Sequence, residues 1–217
     1  MTVLLFLATI VLFLTVDYFV QRSKKEALQP VRKPVPAFRF PDGIFFSKNH
    51  TWMNLFPSGK VQLGIDDFLM RMFEAPAITY LKKDGDAIRK GEPILRMFEN
   101  EKELIVRSPI EGKIEMRNTE LAKRPLTSET ALFSEGWAYT IKPAQPKEIR
   151  NFLMADETKY WVKRELGRLR DFLAVTAPQG TPAMVILQDG GEPMPGVLTT
   201  LTADTVKKFE QQFLNEF

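Results

Sequence analysis

The chain contains no cysteine and a single histidine among its 217 residues. Disulfide scaffolds, zinc fingers, haem attachment and thiol catalysis are therefore excluded, together with any site that needs two imidazoles. A carboxylate-only Mg²⁺ or Ca²⁺ site survives this arithmetic, but no EF-hand or P-loop pattern occurs, and no metal site is expected. Charge of one sign is also scarce: 30 Lys and Arg face 27 Asp and Glu, a formal net charge of +3. That excess is too small to argue for nucleic acid, and no RNA- or DNA-binding signature is present. There is no nucleophile elbow. Composition points away from catalysis before any motif is read.

Long apolar runs are absent except for one. Val3 to Val20 is broken only by Thr9, Thr15 and Asp17. As a helix it would span about 27 Å, roughly the hydrocarbon thickness of a bilayer. Asp17 and Tyr18 fall near the end of the run, where headgroups would receive them. A signal peptide fits less well, because the basic n-region is missing and no small-residue cleavage site follows. The run is expected to be a transmembrane anchor over residues 1–21, contacting the membrane through 3–20. Arg22, Lys24 and Lys25 follow it and no Lys or Arg precedes it. The positive-inside rule then predicts a single-pass protein with its N-terminus outside and its soluble domain cytoplasmic. Residues 22–43 carry Pro30, Pro34, Pro36 and Pro41 among basic residues and read as a stiff linker.

From Gly43 to Pro143 the pattern changes to short strands. Lys60-Val61-Gln62-Leu63-Gly64-Ile65 alternates with period two after the turn at Pro57-Ser58-Gly59. Ala77 to Leu81, Ile94 to Phe98 and Leu104 to Arg107 are further strands, separated by Asp84-Gly85-Asp86, Lys90-Gly91-Glu92-Pro93 and Ser108-Pro109. The charged stretch Glu99 to Glu103 between two of them predicts a hairpin that presents its tip to solvent. Asp66 to Phe73 alone looks helical here, with Asp66 and Asp67 at its start as caps. One imidazole without partners makes neither a triad nor a metal site, so His50 is expected to be structural or at the surface. Trp52 and Trp137 are expected core aromatics.

These residues carry a resemblance. His50-Thr51-Trp52, Gly64-Ile65-Asp66-Asp67-Phe68, Asp84-Gly85, Lys90-Gly91-Glu92-Pro93, Ser108-Pro109-Ile110-Glu111-Gly112, Asn118, Glu135-Gly136-Trp137 and Ile141-Lys142-Pro143 occur in order. Together they resemble the glycine cleavage system H protein family. The resemblance implies a mainly β, lipoyl-like barrel-sandwich hybrid over residues 44–145, here with an N-terminal transmembrane helix and C-terminal helices plus a short strand. It also implies lipoate on a lysine at the hairpin tip. Lys102 is the candidate, with Glu99 before it imitating the family's Glu-x-x-Lys. Counting the family's spacing forward from Gly91, or back from Pro109, lands instead on Glu101. Keeping Lys102 in that place would require a bulge in each strand, since a slip of one residue turns a side chain to the other face.

Residues 146–180 form an amphipathic helix region, with Tyr160, Trp161, Leu166, Leu169, Phe172 and Leu173 at helical spacing. Residues 181–217 read as a strand, Ala183 to Leu187, then a helix capped by Thr202 with Val206, Phe209, Phe213, Leu214 and Phe217 on one stripe. So short a tail cannot bury a core of its own. It must pack on the central domain or on another protein, and the stripe makes Phe209, Phe213 and Phe217 interaction candidates alongside Glu99, Glu101, Lys102 and Glu103. Two functions follow. The first is a non-catalytic, membrane-tethered accessory or scaffold subunit without a cofactor, docking other subunits of a membrane complex such as a respiratory or electron-transfer assembly. The alternative is a lipoylated carrier of glycine cleavage or related group transfer, with lipoate on Lys102. Neither is an enzyme.

Overall fold

The computed structural model describes residues 38–123, 125–127, 131–176 and 195–216, together with Thr15. The expected anchor and most of the linker lie outside the described residues, as do the strand 183–187 and Phe217. Among the described residues no helix is long and apolar enough to cross a membrane. The fold class is corrected accordingly: a mainly β domain followed by helices, with no membrane-spanning element in the described architecture.

Among the described residues, nine strands form two antiparallel sheets. The larger contains β1 (Ile44–Phe46), β2 (Thr51–Leu55), β3 (Val61–Ile65), β9 (Trp137–Pro143), β8 (Gly112–Arg117) and β5 (Ala87–Ile88), in that order. The smaller contains β4 (Ala77–Tyr80), β6 (Pro93–Glu99) and β7 (Lys102–Arg107), so β7 is an edge. The alternation of β3 works as expected: Val61, Leu63 and Ile65 are buried in the core with Tyr139 and Ile141 of β9 and Leu95, Met97, Leu104 and Val106 of the smaller sheet. Gly64 has a packing reason. A Cβ there would lie 2.5 Å from the Trp52 indole, which is itself fully buried.

The helix α1 (Asp67–Arg71) is capped by Asp66, whose Oδ1 accepts from the Leu69 N–H at 2.8 Å. Asp67 sits in its first turn, 2.9 Å from the Arg71 guanidinium. The linker expected to run to residue 43 joins the domain earlier. Phe38 stacks on Phe68 and lies under Arg71, 4.1 Å from its guanidinium carbon.

Two longer helices follow, α2 (Ala155–Thr176) and α3 (Ala203–Phe213). The apolar stripe of α3 is spent inside the chain. Phe209 and Phe213 are fully buried, stack on each other at 4.6 Å, and meet Phe172 of α2 edge-on at 6.0 and 5.8 Å. Phe213 also reaches Phe68, so this cluster is continuous with the β core. Their candidacy as partner-binding residues is corrected: burying two aromatic rings against the domain is strongly favourable, and no apolar face is left over at these positions.

Candidate functional site

The end of the β6–β7 hairpin is built by two residues. Glu99 pairs with Lys102, so Asn100 and Glu101 alone make the turn, with Asn100 in the left-handed region at φ 55°. Asn accepts that conformation better than other residues with a Cβ. The hairpin pairing contains one irregularity, between Pro93 and Leu95, where β6 has one residue more than β7; β7 shows none.

The four charged candidates meet different surroundings. The Glu99 carboxylate turns back and accepts from the Glu74 N–H at 2.9 Å and the Ala75 N–H at 3.2 Å, fastening the hairpin to the loop after α1. Glu101 is exposed in the turn. Glu103 is also exposed, and its carboxylate lies 3.7 Å from Arg96 on the neighbouring strand. Lys102 is the first residue of β7 and half-buried, and its ammonium donates to the Thr199 carbonyl.

Thr199 belongs to a 3₁₀ turn (Val197–Thr200) that leads into α3. That segment covers the exposed edge of the smaller sheet. The Ile105 N–H of β7 donates to Glu210 Oε2 on α3 at 3.0 Å, satisfying one of the groups an edge strand leaves open. A groove of about 510 Å³ runs beside Lys102, between Ile105 of β7 and Ala203 and Val206 on the α3 side. Thr199 and Glu210 had no local signal in the sequence, being 97 and 105 residues from their hairpin partners.

A second polar cluster lies behind the domain. His50 is fully buried, not at the surface, and stacks on Phe68 at 4.2 Å. Its Nδ1 lies 2.9 Å from Asp66 Oδ2 and its Nε2 is 3.7 Å from Glu165 Oε1, a buried residue of α2. Burial pulls the imidazole pKa down, but the two carboxylates, Asp66 foremost, outweigh it and hold it up at about 9. Arg168 bonds both Glu165 oxygens at 3.0 Å and reaches Glu216 and the Gln212 carbonyl. The partners that the isolated histidine lacked in sequence arrive from α1 and α2. The network joins elements; among the described residues no group of three or more metal-ligating side chains forms.

Residues 44–165 match the family model of the glycine cleavage H-protein. The chain belongs to the glycine cleavage H-protein family. It is 28% identical over 127 residues to the glycine cleavage system H protein of Anaeromyxobacter sp. (strain K), covering 58% of this chain and 97% of that protein. The H protein of Stenotrophomonas maltophilia (strain K279a) is 27% identical over 116 residues, 54% of this chain and 88% of the relative. The crystal structure of an H protein from Mycobacterium marinum aligns with a TM-score of 0.44 at 22% identity, covering 48% of this chain and 87% of that one.

As a member of this family, the chain is not itself an enzyme. The family also corrects the expected localisation as a single-pass membrane protein. The family match spans residues 44–165, the relatives are glycine cleavage system H proteins, and no described helix is long and apolar enough to cross a bilayer. The segment 195–216, which supplies Thr199 and Glu210, lies beyond the matched residues.

Proposed function

We propose that this chain is a lipoyl carrier serving glycine cleavage or a related group transfer, with lipoate attached to Lys102. The observation that supports this reading most directly is family membership over the whole β domain, combined with one amine at the hairpin. Between Pro93 and Arg107 the only lysine is Lys102. The fit is chemical as well: attachment needs a primary amine on a rigid projection, and Glu99 fastens the hairpin beside it through two backbone N–H groups. When attached, the dithiolane would supply the reversible disulfide that accepts and releases the carried group. The protein's part is to hold the amine at a fixed place and to keep apolar surface, Ile105 and Val206, next to it. Intact mass spectrometry of the chain purified from its own cells tests this: one lipoyl group is expected, absent in Lys102→Ala. An unmodified chain from cells that lipoylate other proteins would remove the reading.

One observation favours a second reading, an accessory H-protein-like subunit with no prosthetic group. Glu101, which occupies the family's lysine place by spacing, is exposed in the turn, whereas the Lys102 ammonium is engaged with a backbone carbonyl. The same mass measurement separates the two, together with recovery of stoichiometric protein partners by the unmodified chain.

A further inference from the structure

We propose that the segment 195–216 is a strap whose 3₁₀ turn gates Lys102, so that the amine is acylated only when that turn releases it, α3 staying packed in the core. The proposal rests on Lys102 being the lipoyl acceptor.

Three separate contacts seat the strap. At its start the Gly196 N–H donates to the Arg71 carbonyl at 2.9 Å and the Leu198 N–H to the Met72 carbonyl at 3.0 Å, pinning the 3₁₀ turn to the end of α1. Gly196 is required there: its φ is +82°, and a Cβ would lie 2.4 Å from Glu74 Cγ. In the middle, the Thr199 carbonyl receives the Lys102 ammonium. Beyond it, Glu210 receives the Ile105 N–H. Because Glu74 and Ala75 also hold Glu99, the two residues flanking the turn are gripped from one side by the loop after α1 and from the other by the strap.

The chemistry of attachment conflicts with this arrangement. The ammonium must first give a proton to solvent. The amine nitrogen then attacks the acyl carbon of an activated lipoate, an acyl-phosphate mixed anhydride. The amide bond forms, the carbon–oxygen bond to the leaving phosphate group breaks, and a second proton departs. An ammonium donating to Thr199 has no lone pair to offer, and the strap backbone occupies one side of its approach. The family match ends at residue 165, so the device belongs to the part of this chain outside that match.

The absence of cysteine makes a direct test practical. Glu103→Cys with Lys207→Cys, both lining the groove, can be joined by a short bis-maleimide to hold the strap down. Gly196→Ala and, separately, Glu210→Ala loosen it. The full-length chain and each variant are treated with an N-hydroxysuccinimide acetate ester, and acetylation of Lys102 is followed by mass spectrometry against exposed Lys48. A parallel series receives lipoate, ATP and a lipoyl ligase. Amide exchange of the β3 core confirms that each variant is folded, and Glu210→Ala serves if Gly196→Ala does not fold.

Loosening is expected to raise the Lys102 rate roughly tenfold in both series, the scale one charge-assisted hydrogen bond supports. Cross-linking is expected to suppress it, with Lys48 unchanged. Equal rates in all forms would overturn the strap, leaving the carrier reading intact if lipoate is attached. Ordered acetylation rates without lipoate on any form would confirm the strap's grip on the amine and remove the carrier reading.

Discussion

At the scale of single residues, His50 is the most informative. Its imidazole is fully buried between Asp66 and Glu165 and held up at about 9 from an ordinary value of 6.5. A folded-state pKa above the unfolded one means the protonated form stabilises the fold. That contribution is complete below about pH 6.5 and is lost as pH rises through about 9. A shift of this size corresponds to about 3 kcal/mol. Urea unfolding between pH 6 and 10 is expected to show the loss, and His50→Gln should flatten the profile over that window. A wild-type profile already flat from pH 7 to 10 would contradict the buried ion pair. Gly64 gives a second residue-scale expectation. With a Cβ 2.5 Å from the Trp52 ring, Gly64→Ala must displace the indole or the strand, at an expected cost of about 1–3 kcal/mol by overpacking, read from the denaturation midpoint. The part these residues would play was unevenly legible. Asp66 was readable as a cap because its acceptor lies three residues from the N–H it receives. The partners of His50 were not, because Asp66 and Glu165 come to it through the packing of two helices.

At the scale of elements, β3, β4, β6, β7 and α3 follow from periodicity, but what each element touches does not. The stripe of Val206, Phe209 and Phe213 predicts a helix with one buried face and is silent about what buries it. Here the face closes on Phe172 and Phe68, within the same chain. Phe209→Ala is therefore expected to cost about 3–5 kcal/mol of stability, measured by chemical denaturation, which is the cost of a buried ring replaced by a cavity. A surface-binding role would have predicted almost no loss. The hairpin shows the same division. Its charged tip was visible between two apolar runs, and the family spacing distinguished Glu101 from Lys102. Glu101 is in solvent as that tip predicts, but only the folded chain puts Lys102 against Thr199. Glu99→Ala removes the acceptor shared by Glu74 and Ala75, and amide exchange at those two positions is expected to accelerate while the β3 core stays protected.

At the scale of the whole molecule, the described residues from Phe38 onward behave as one unit. The β sheets, α1, α2 and the strap share a single apolar cluster running from Met53 to Leu214. Unfolding is therefore expected to be one cooperative transition, with tryptophan fluorescence and amide exchange in α3 reporting the same midpoint. An earlier, separate loss of α3 would show that the strap is an independent element.

The sequence by itself determined the β domain, its turns, its family and the absence of thiol and multi-histidine chemistry. These depend on residue identity, short periods and spacings along one strand of chain. Tertiary structure decided the fate of the α3 stripe, the charge on His50 and the accessibility of Lys102. Each of these is set by groups brought into contact across long stretches of sequence, and the free energy of such a contact exists only once the chain has folded.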